Sequence, residues 1–240
     1  MKLFSIPYAF GSSYCYNELG NYLNKNIQLV PLDYPGHGKR IADSLLYDVN
    51  SIADDLYQCI KSSLTSDDKY ALLGYSMGGL VCYELLKRLK NFHDPECVFI
   101  IASHYPDYQY ENDTYEKYAL NDVKALLKEY GGTSAEALES DELLDFMKPI
   151  VCADMIALRD YKNTDHDFQI RCPVTFIGGT AEEYTAENIL EWKKIALNGF
   201  DSFQLEGEHF FLFNCEENLT KTVAIIMQKL TAIAEKMIQK

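Results

Sequence analysis

The chain has 240 residues, 48% of them hydrophobic, and its 22 basic and 36 acidic side chains give a formal net charge of −14 at pH 7. This length predicts one domain with a sizeable core. The acidic balance argues against nucleic acid and against anionic membrane surfaces as partners, because both are bound mainly through basic side chains. No apolar run approaches the length that crosses a membrane.

The seven cysteines are odd in number and scattered, and none of them forms a Cys-x-x-Cys pair. This pattern predicts neither a disulfide framework nor a zinc site, so we expect no metal, and it is typical of proteins in a reducing compartment. The first residues are too soon interrupted by Pro7 to form a signal peptide. We therefore expect a cytoplasmic protein.

The first predicted strand is residues 2–6, a short apolar run that leads into a loop of small residues at 7–13. A loop in this position can present a free backbone N–H group to a negatively charged reaction intermediate. The donor would be Ala9 or Phe10, and we assign Ala9. An ordinary turn is the alternative interpretation of this loop.

A second apolar run, residues 28–32, predicts the next strand, which ends at a turn-rich loop at 33–40. His37 lies in this loop among glycines and a proline, which indicate a mobile segment, so we do not assign it as a catalytic base. An amphipathic helix follows, with Asn50 or Ser51 as its N-cap.

The stretch 70–80 carries the strongest signal in the chain. An apolar run of strand length reaches Gly74, Ser76 lies between Gly74 and Gly78, and a helical pattern follows. This strand, sharp turn and helix would lift the Ser76 hydroxyl out of the sheet, toward a substrate and a base. The backbone N–H of Met77, at the start of the helix, would face a developing oxyanion.

Residues 97–101 form a continuous apolar run, as expected for a strand that is covered by helices on both faces. Strands that alternate with helices predict a mostly parallel sheet and an α/β fold. Ligands of such sheets bind beyond the carboxyl ends of the strands. The loop at 7–13 and Ser76 both follow such ends.

The pattern changes between residues 106 and 168, which are rich in tyrosine and then helical. Asn121 can cap one helix, and Pro149 starts or kinks a later one. An all-helical insert between two strands predicts a lid over the site, although it could also have no gating role. We expect one domain, residues 1–240, that carries this lid. Three histidines in connecting or insert segments are assigned no role: His93, His104 and His166.

A further strand at 174–177 ends in a loop with Glu182 and Glu183. A carboxylate at this strand end would orient a catalytic imidazole and stabilise its charged form. Glu182 is the first choice and Glu183 the second. Both could instead be solvated acids of an acidic chain.

His209 follows the last short strand, after a glycine and before an aromatic run. The order along the chain is then serine, acid, histidine, which is the order of α/β-hydrolases. We therefore predict that Ser76, His209 and Glu182 form a catalytic triad. An amphipathic helix closes the chain.

These motifs resemble the type II thioesterases of the α/β-hydrolase superfamily, stand-alone enzymes that serve nonribosomal peptide and polyketide synthases. Residues 6–12 resemble the family's Phe-Pro-x-Ala-Gly-Gly-Ser loop, and residues 34–40 resemble its Tyr-Pro-Gly-Arg-Gly-x-Arg. Residues 74–79 match its nucleophile motif, and residues 207–212 resemble its Gly-Gly-His-Phe-Phe-Leu. Two shorter runs, Gly131-Gly132-Thr133 and Ala153-Asp154, fit the pattern of its lid.

Four residues depart from the family. Glu182 stands where the family usually has aspartate, and the extra methylene would shift the carboxylate. Phe10 replaces a glycine, which would narrow the acyl pocket. His37 replaces an arginine, and Glu208 replaces a glycine beside His209.

The resemblance implies hydrolysis of acyl thioesters from the phosphopantetheine arm of acyl or peptidyl carrier proteins, by attack of Ser76 with His209 as base and with Met77 and Ala9 as oxyanion donors. Tyr8, Phe10 and Tyr75 are the candidates for contact with the acyl group. The enzyme would need no cofactor of its own, since the substrate brings the phosphopantetheine, and we expect a monomer. Lys39 and Arg40 form a weak candidate for a basic docking patch.

Three other functions stay open. A general carboxylesterase would use the same triad on small oxygen esters, and an acyltransferase would pass the acyl group to an acceptor other than water. A non-catalytic interaction protein would keep the fold without turnover. Dependence on the carrier protein separates the thioesterase from the esterase.

Overall fold

A computed structural model describes residues 1–65 and 67–238 of the chain. Six strands form one sheet in the order β2-β1-β3-β4-β5-β6, and every neighbouring pair is parallel. The strands are β1 (Lys2–Ile6), β2 (Gln28–Pro31), β3 (Tyr70–Tyr75), β4 (Val98–Ile101), β5 (Val174–Gly179) and β6 (Phe200–Leu205). The chain adds β2 on one side of β1 and β3 on the other, so β1 and β3 are neighbours. The loops that follow these two strands therefore lie next to each other at the carboxyl edge of the sheet. The predicted α/β-hydrolase fold is confirmed.

Helices connect the strands, as parallel pairing requires. They are α1 (Asn17–Tyr22), α2 (Val49–Ser63), α3 (Met77–Leu89), α4 (Leu120–Tyr130), α5 (Ala135–Leu138), α6 (Asp141–Asp160), α7 (Thr185–Ile195) and α8 (Glu216–Ile238). None of the helices within the described residues is long and apolar enough to cross a membrane.

The core consists of two apolar layers, one on each face of the sheet. Alternate residues of a strand point to opposite faces, so Phe4 and Ile6 of β1 pack into the layer that includes α2, α3 and Trp192 of α7, whereas Leu3 packs into the layer that includes α1 and α8. All side chains of β3 are buried. The strand that carries the site is therefore held rigidly from both sides.

The insert between β4 and β5 contains α4, α5 and α6, and α4 packs against α6. This confirms a helical segment where the tyrosine-rich stretch ends. We predicted that this insert is a lid on a single domain, and both parts of that statement stay predictions. The insert adds its apolar residues to the same layer as α2 and α3.

Two details of the helix ends were predicted wrongly. Asp48 caps α2 by accepting the N–H of Ser51, so neither Asn50 nor Ser51 is the cap. Asn121 lies inside α4. Pro149 was expected to start or kink a helix; it does not start one, because α6 runs from Asp141 to Asp160 around it, and the kink stays a prediction. Several residues near a helix start have suitable side chains, and the local sequence does not decide which one takes the cap.

Candidate active site

Ser76 occupies a sharp turn between β3 and α3. Its backbone is in the left-handed half of conformational space, with φ 53° and ψ −119°, which costs energy for any residue with a Cβ. Two backbone hydrogen bonds hold the turn: the Ser76 N–H donates to the carbonyl of Ile101 at 2.8 Å, and the Gly79 N–H donates to the carbonyl of Ser76 at 2.9 Å. The surrounding fold thus keeps the hydroxyl at the apex.

The two glycines that flank Ser76 are required by close approach of the backbone. A Cβ on Gly74 would lie 2.2 Å from the carbonyl oxygen of Gly78, and a Cβ on Gly78 would lie 2.2 Å from the carbonyl oxygen of Ile6. Backbone atoms cannot move aside as a flexible side chain can. The Gly-x-Ser-x-Gly pattern is therefore explained by the packing of β3, α3 and β1.

Replacing Gly74 by alanine is expected to destabilise the protein by about 1–3 kcal/mol or more, because the new methyl group overlaps backbone. Urea unfolding of the purified variant measures this loss. Gly20→Ala is the control, because its Cβ would meet only the end of the Leu29 side chain, at 3.1 Å, and alanine favours the helix by roughly 1 kcal/mol. Equal stability of the two variants would contradict the steric explanation.

The three residues predicted as a triad lie together. The Ser76 Oγ is 2.9 Å from Nε2 of His209, and Nδ1 of His209 is 2.7 Å from Oε1 of Glu182. Because a carboxylate only accepts, Nδ1 carries the proton and Nε2 is left to accept the Ser76 hydroxyl. This is the tautomer in which the imidazole can act as a base toward the serine.

Glu182 is fixed by the end of β5 and the start of α7. Its Oε2 accepts the backbone N–H of Gly179 at 2.9 Å, and the hydroxyl of Thr185 donates to the carbonyl of Gly179 at 2.8 Å. One carboxylate oxygen is thus anchored to backbone while the other faces His209. Glu183 is exposed and points to the mouth of a cavity instead. The longer side chain of glutamate therefore still reaches the imidazole.

Tyr75 was assigned to acyl contact, and the structure contradicts this. Its side chain is fully buried, with 0% exposure, and its hydroxyl donates to the backbone carbonyl of His209. Its ring packs against Tyr8, Phe210 and Phe213. It supports the loop that carries His209 and does not touch the acyl group.

Two backbone N–H groups were predicted as oxyanion donors. Met77 begins α3, where the N–H groups of the first turn have no carbonyl partner within the helix. In the loop after β1, the N–H of Phe10 donates to Oδ2 of Asp154 at 2.5 Å and is not available to a substrate. Of the two candidates in this loop, Ala9 is therefore the one retained. Donation of its N–H to the oxyanion stays a prediction.

Ser76 and His209 open into a cavity of about 460 Å³, a size typical of small-molecule sites. Tyr8 and Phe10 line this cavity, and their contact with an acyl group stays a prediction. Its wall is made mainly by tyrosines and acidic residues of the insert and of the loop before α7: Tyr108, Tyr110, Tyr115, Tyr118, Tyr130, Tyr184, Glu111, Asp113, Glu129 and Glu183.

A sequence model of the thioesterase domain matches residues 1–230. The chain belongs to the thioesterase family. The motif-based resemblance is confirmed at this level, and the chain is a hydrolase of that family.

Similar proteins agree with this assignment. The gramicidin S biosynthesis protein GrsT of Aneurinibacillus migulanus is 26% identical, with 89% of this chain and 83% of that protein covered. The human medium-chain S-acyl fatty acid synthase thioesterase is 24% identical, with 97% and 89% covered. The crystal structure of ClbQ, from the colibactin NRPS/PKS pathway, has a TM-score of 0.87 at 24% identity, with 97% and 98% covered.

His104 lines the site of this thioesterase, although it was assigned no role from the sequence. It lines the cavity and stacks on Tyr108, with the ring centroids 3.6 Å apart. Burial, and then the proximity of His209, lower its pKa to about 4, so the ring is neutral near pH 7. A histidine three residues beyond the end of a predicted parallel strand was the available signal.

His37 was expected in a mobile loop, and this is wrong. Only 3% of its surface is exposed, and its Nε2 lies 3.0 Å from Oδ2 of Asp154 in the thioesterase insert. Asp154 was noted only as part of the lid pattern. A single carboxylate within an otherwise apolar stretch of helix was the signal that it is buried and paired.

Phe10 has a backbone φ of 53°, a conformation that costs a residue with a side chain about 1–2 kcal/mol relative to glycine. Its ring packs edge-on against Tyr130, with the centroids 6.0 Å apart. The expected narrowing of the pocket is consistent with this contact, because the ring joins the loop after β1 to the end of α4.

Proposed function

We propose that this thioesterase removes acyl groups from the phosphopantetheine arm of carrier proteins in a nonribosomal peptide or polyketide pathway. The observation that carries the proposal is the continuous hydrogen-bonded chain from Ser76 through His209 to Glu182 at the floor of the cavity. The reaction needs no cofactor of the enzyme's own, because these side chains supply nucleophile, base and orienting charge.

In the first half of the reaction, the Ser76 oxygen attacks the thioester carbonyl and His209 Nε2 takes its proton. Glu182 holds the opposite side of the ring and stabilises the imidazolium. The carbonyl oxygen becomes an oxyanion that accepts the N–H groups of Met77 and Ala9. When the intermediate collapses, the carbon–sulfur bond breaks, and His209 returns its proton to the pantetheine sulfur.

In the second half, water replaces the thiol. His209 takes a proton from the water as its oxygen attacks the Ser76 ester, and the same donors hold the second oxyanion. Breaking the ester releases the acid and returns the proton to Ser76. The cavity fits this sequence, because it can hold the acyl group beside the nucleophile while the carrier domain stays outside and its arm reaches in.

The names of similar proteins support the pathway. GrsT is named for gramicidin S biosynthesis, and ClbQ is described as part of an NRPS/PKS pathway. We propose a monomer that acts in the cytoplasm and docks a carrier domain. Arg40 is a poor docking group, because its guanidinium is already paired with Asp55 and Asp43. Apolar contacts at the cavity mouth are the better candidate.

The deciding experiment measures acyl release from an acyl-phosphopantetheinyl carrier protein beside a matched oxygen ester and a free pantetheine thioester. Carrier-dependent release is expected. Turnover of the oxygen ester alone would identify a carboxylesterase. Transfer of the acyl group to an added amine or alcohol in preference to water would identify an acyltransferase.

Fatty acyl carriers are a second candidate substrate, because the human relative is named a fatty acid synthase thioesterase. The cavity wall argues for a different acyl class. The acidic residues that line it include Glu111, Glu129 and Glu183. Within the part of the chain that the structure describes, no lysine or arginine lines the cavity. A cleft with charge of one sign attracts groups of the opposite sign.

Alanyl thioesters are therefore expected to react about 3- to 10-fold faster in kcat/KM than propionyl thioesters, with the gain modest because exposed carboxylates are screened by water and salt. N-acetylalanyl thioesters, which lack the charge, are the substrate control. Glu129→Gln should reduce the preference, whereas Glu142→Gln, outside the cavity lining, should not. A faster octanoyl or propionyl substrate would contradict this assignment and leave the thioesterase function intact.

A further inference from the structure

Asp154 joins three separate segments of the chain. It lies in the middle of α6 and has 0% exposure. Its Oδ2 accepts the backbone N–H of Phe10, in the loop after β1, at 2.5 Å, and lies 3.0 Å from Nε2 of His37, in the loop after β2. The carboxylate therefore connects the insert to the loop that carries the proposed oxyanion donor.

The surroundings of His37 define its charge. Nδ1 lies 3.0 Å from the carbonyl oxygen of Pro35, and Nε2 lies 3.0 Å from the Asp154 carboxylate. A carbonyl and a carboxylate both accept, so both ring nitrogens must donate. Only the imidazolium has two N–H groups. The contact is consequently a buried ion pair, which is stable only when both charges are present.

Other groups near the ring are compatible with this charge. Burial lowers the pKa of His37, but Asp154, Pro35 and then Asp33 outweigh that effect and raise the pKa above its ordinary value. The ring of Tyr34 stands edge-on to the imidazole at 5.3 Å. Its hydroxyl donates to the carbonyl of Pro7, and burial raises the pKa of Tyr34 well above its usual range, so it adds no charge.

The Phe10 backbone is in the left-handed region, with φ 53°, and its N–H is aimed at Asp154. The preceding residue is Ala9. Because adjacent peptide planes share a Cα atom, the orientation of the Phe10 N–H constrains the Ala9 N–H as well. Oδ1 of Asp154 is buried and has no hydrogen-bond partner among the described residues. The carboxylate thus depends on His37 and Phe10 for its stabilisation.

We propose that the buried His37–Asp154 ion pair positions the oxyanion loop, so that acyl transfer at Ser76 requires a charged group at position 37. His37 and Asp154 are positioning residues and do not touch the substrate. The proposal rests on the proposed function, because it concerns the same oxyanion site.

The dependence on pH follows from the raised pKa of His37. Its stabilising contribution is fully present below the pKa that the residue has in the unfolded chain, and it is lost as the pH rises through the folded-state pKa. Above that pH the neutral ring presents a lone pair to one of two acceptors. The hydrogen bond from the Phe10 N–H to Asp154 is then weakened, and kcat falls at alkaline pH.

The test compares the pH profiles of kcat and KM for the wild type, His37→Arg and His37→Gln. The guanidinium stays charged at every accessible pH, so His37→Arg is expected to keep turnover and lose the alkaline decline. His37→Gln is expected to lower kcat about 10- to 100-fold at all pH values, because a displaced oxyanion donor is worth up to about 10²- to 10³-fold. KM should change less than about 3-fold.

His166→Gln is the matched control. This histidine also contacts an aspartate, Asp107, at 3.0 Å, but both side chains are exposed. The control should keep the wild-type profile. Identical profiles for the wild type, His37→Arg and His37→Gln would overturn the proposal, as would a loss in His37→Gln that only follows its unfolded fraction.

Two further measurements keep the proposal testable if a single variant does not fold. In the double variant His37→Gln with Asp154→Asn, a neutral amide pair still offers an acceptor to Phe10, and reduced kcat without an alkaline decline is expected. Imidazole ¹⁵N shifts of His37, recorded in Ser76→Ala protein, should be those of an imidazolium at pH 7. A neutral ring would overturn the ion pair whatever the activity, so this result is independent of the proposed function.

Discussion

Replacing Ser76 by alanine is expected to reduce kcat for acyl-carrier hydrolysis by about 10⁴- to 10⁶-fold, because the variant has no oxygen to form the acyl-enzyme. His209, Glu182 and the backbone donors remain in place, so acyl-carrier binding should persist. Single-turnover kinetics with a radiolabelled acyl carrier measure the loss, and mass spectrometry should detect the acyl adduct on the wild type alone.

The control for this result is Ser62→Ala, which removes a serine hydroxyl that donates to the carbonyl of Cys59 on the exposed face of α2. It should retain full activity. Comparable thermal unfolding of both variants would show that the loss is chemical. If Ser76→Ala kept a kcat within about 10-fold of the wild type, the result would contradict a mechanism in which Ser76 is the nucleophile.

Replacing Glu182 by glutamine is expected to reduce kcat by about 10³- to 10⁴-fold with little change in KM. The amide can offer its N–H₂ to His209 Nδ1, which then holds the wrong tautomer and leaves Nε2 protonated beside Ser76. The present carboxylate lies 2.7 Å from Nδ1. Steady-state kinetics across the neutral pH range measure the effect.

Glu183→Gln is the matched control for Glu182, because it changes the neighbouring acid, which is exposed. With an uncharged propionyl substrate it should keep kcat within about 2-fold, because the His209 imidazole is held by Glu182. Glu182→Asp should be intermediate, because the shorter side chain cannot hold both the Gly179 N–H and the imidazole at their present distances. A larger loss of kcat in Glu183→Gln than in Glu182→Gln would make Glu183 the acid of the proposed triad.

Local patterns were sufficient to predict the residues of the proposed triad. Gly74, Ser76 and Gly78 come from one turn whose geometry requires them, and the order of Ser76, Glu182 and His209 follows from strand ends that meet at one edge of a parallel sheet. The structure brings Ser76, His209 and Glu182 into hydrogen-bond contact, because each inference depends on a short segment and on a rule of connectivity. Two apolar strand runs, at β3 and β4, were recognised for the same reason.

Contacts between distant segments were not predictable in the same way. Tyr75 lies in the expected strand, but only the tertiary structure shows that its ring is fully buried, against Tyr8 and Phe213. The loop around His37 has the glycines and proline of a mobile turn, and it is nevertheless ordered by an aspartate that is 117 residues away. The sequence around His37 carries no information about Asp154, the residue that it contacts in the fold.

The sequence by itself determined the α/β fold, the turn at Ser76 and the chain order of serine, acid and base, because periodicity and turn chemistry are local and strand ends meet by rule. Only the tertiary structure showed that the Phe10 N–H is bound by Asp154, that Glu182 and not Glu183 contacts His209, and that His37 meets Asp154. Those outcomes depend on which side chains meet across the sheet edge and the insert, and that is set by packing and by the pairing of buried charges.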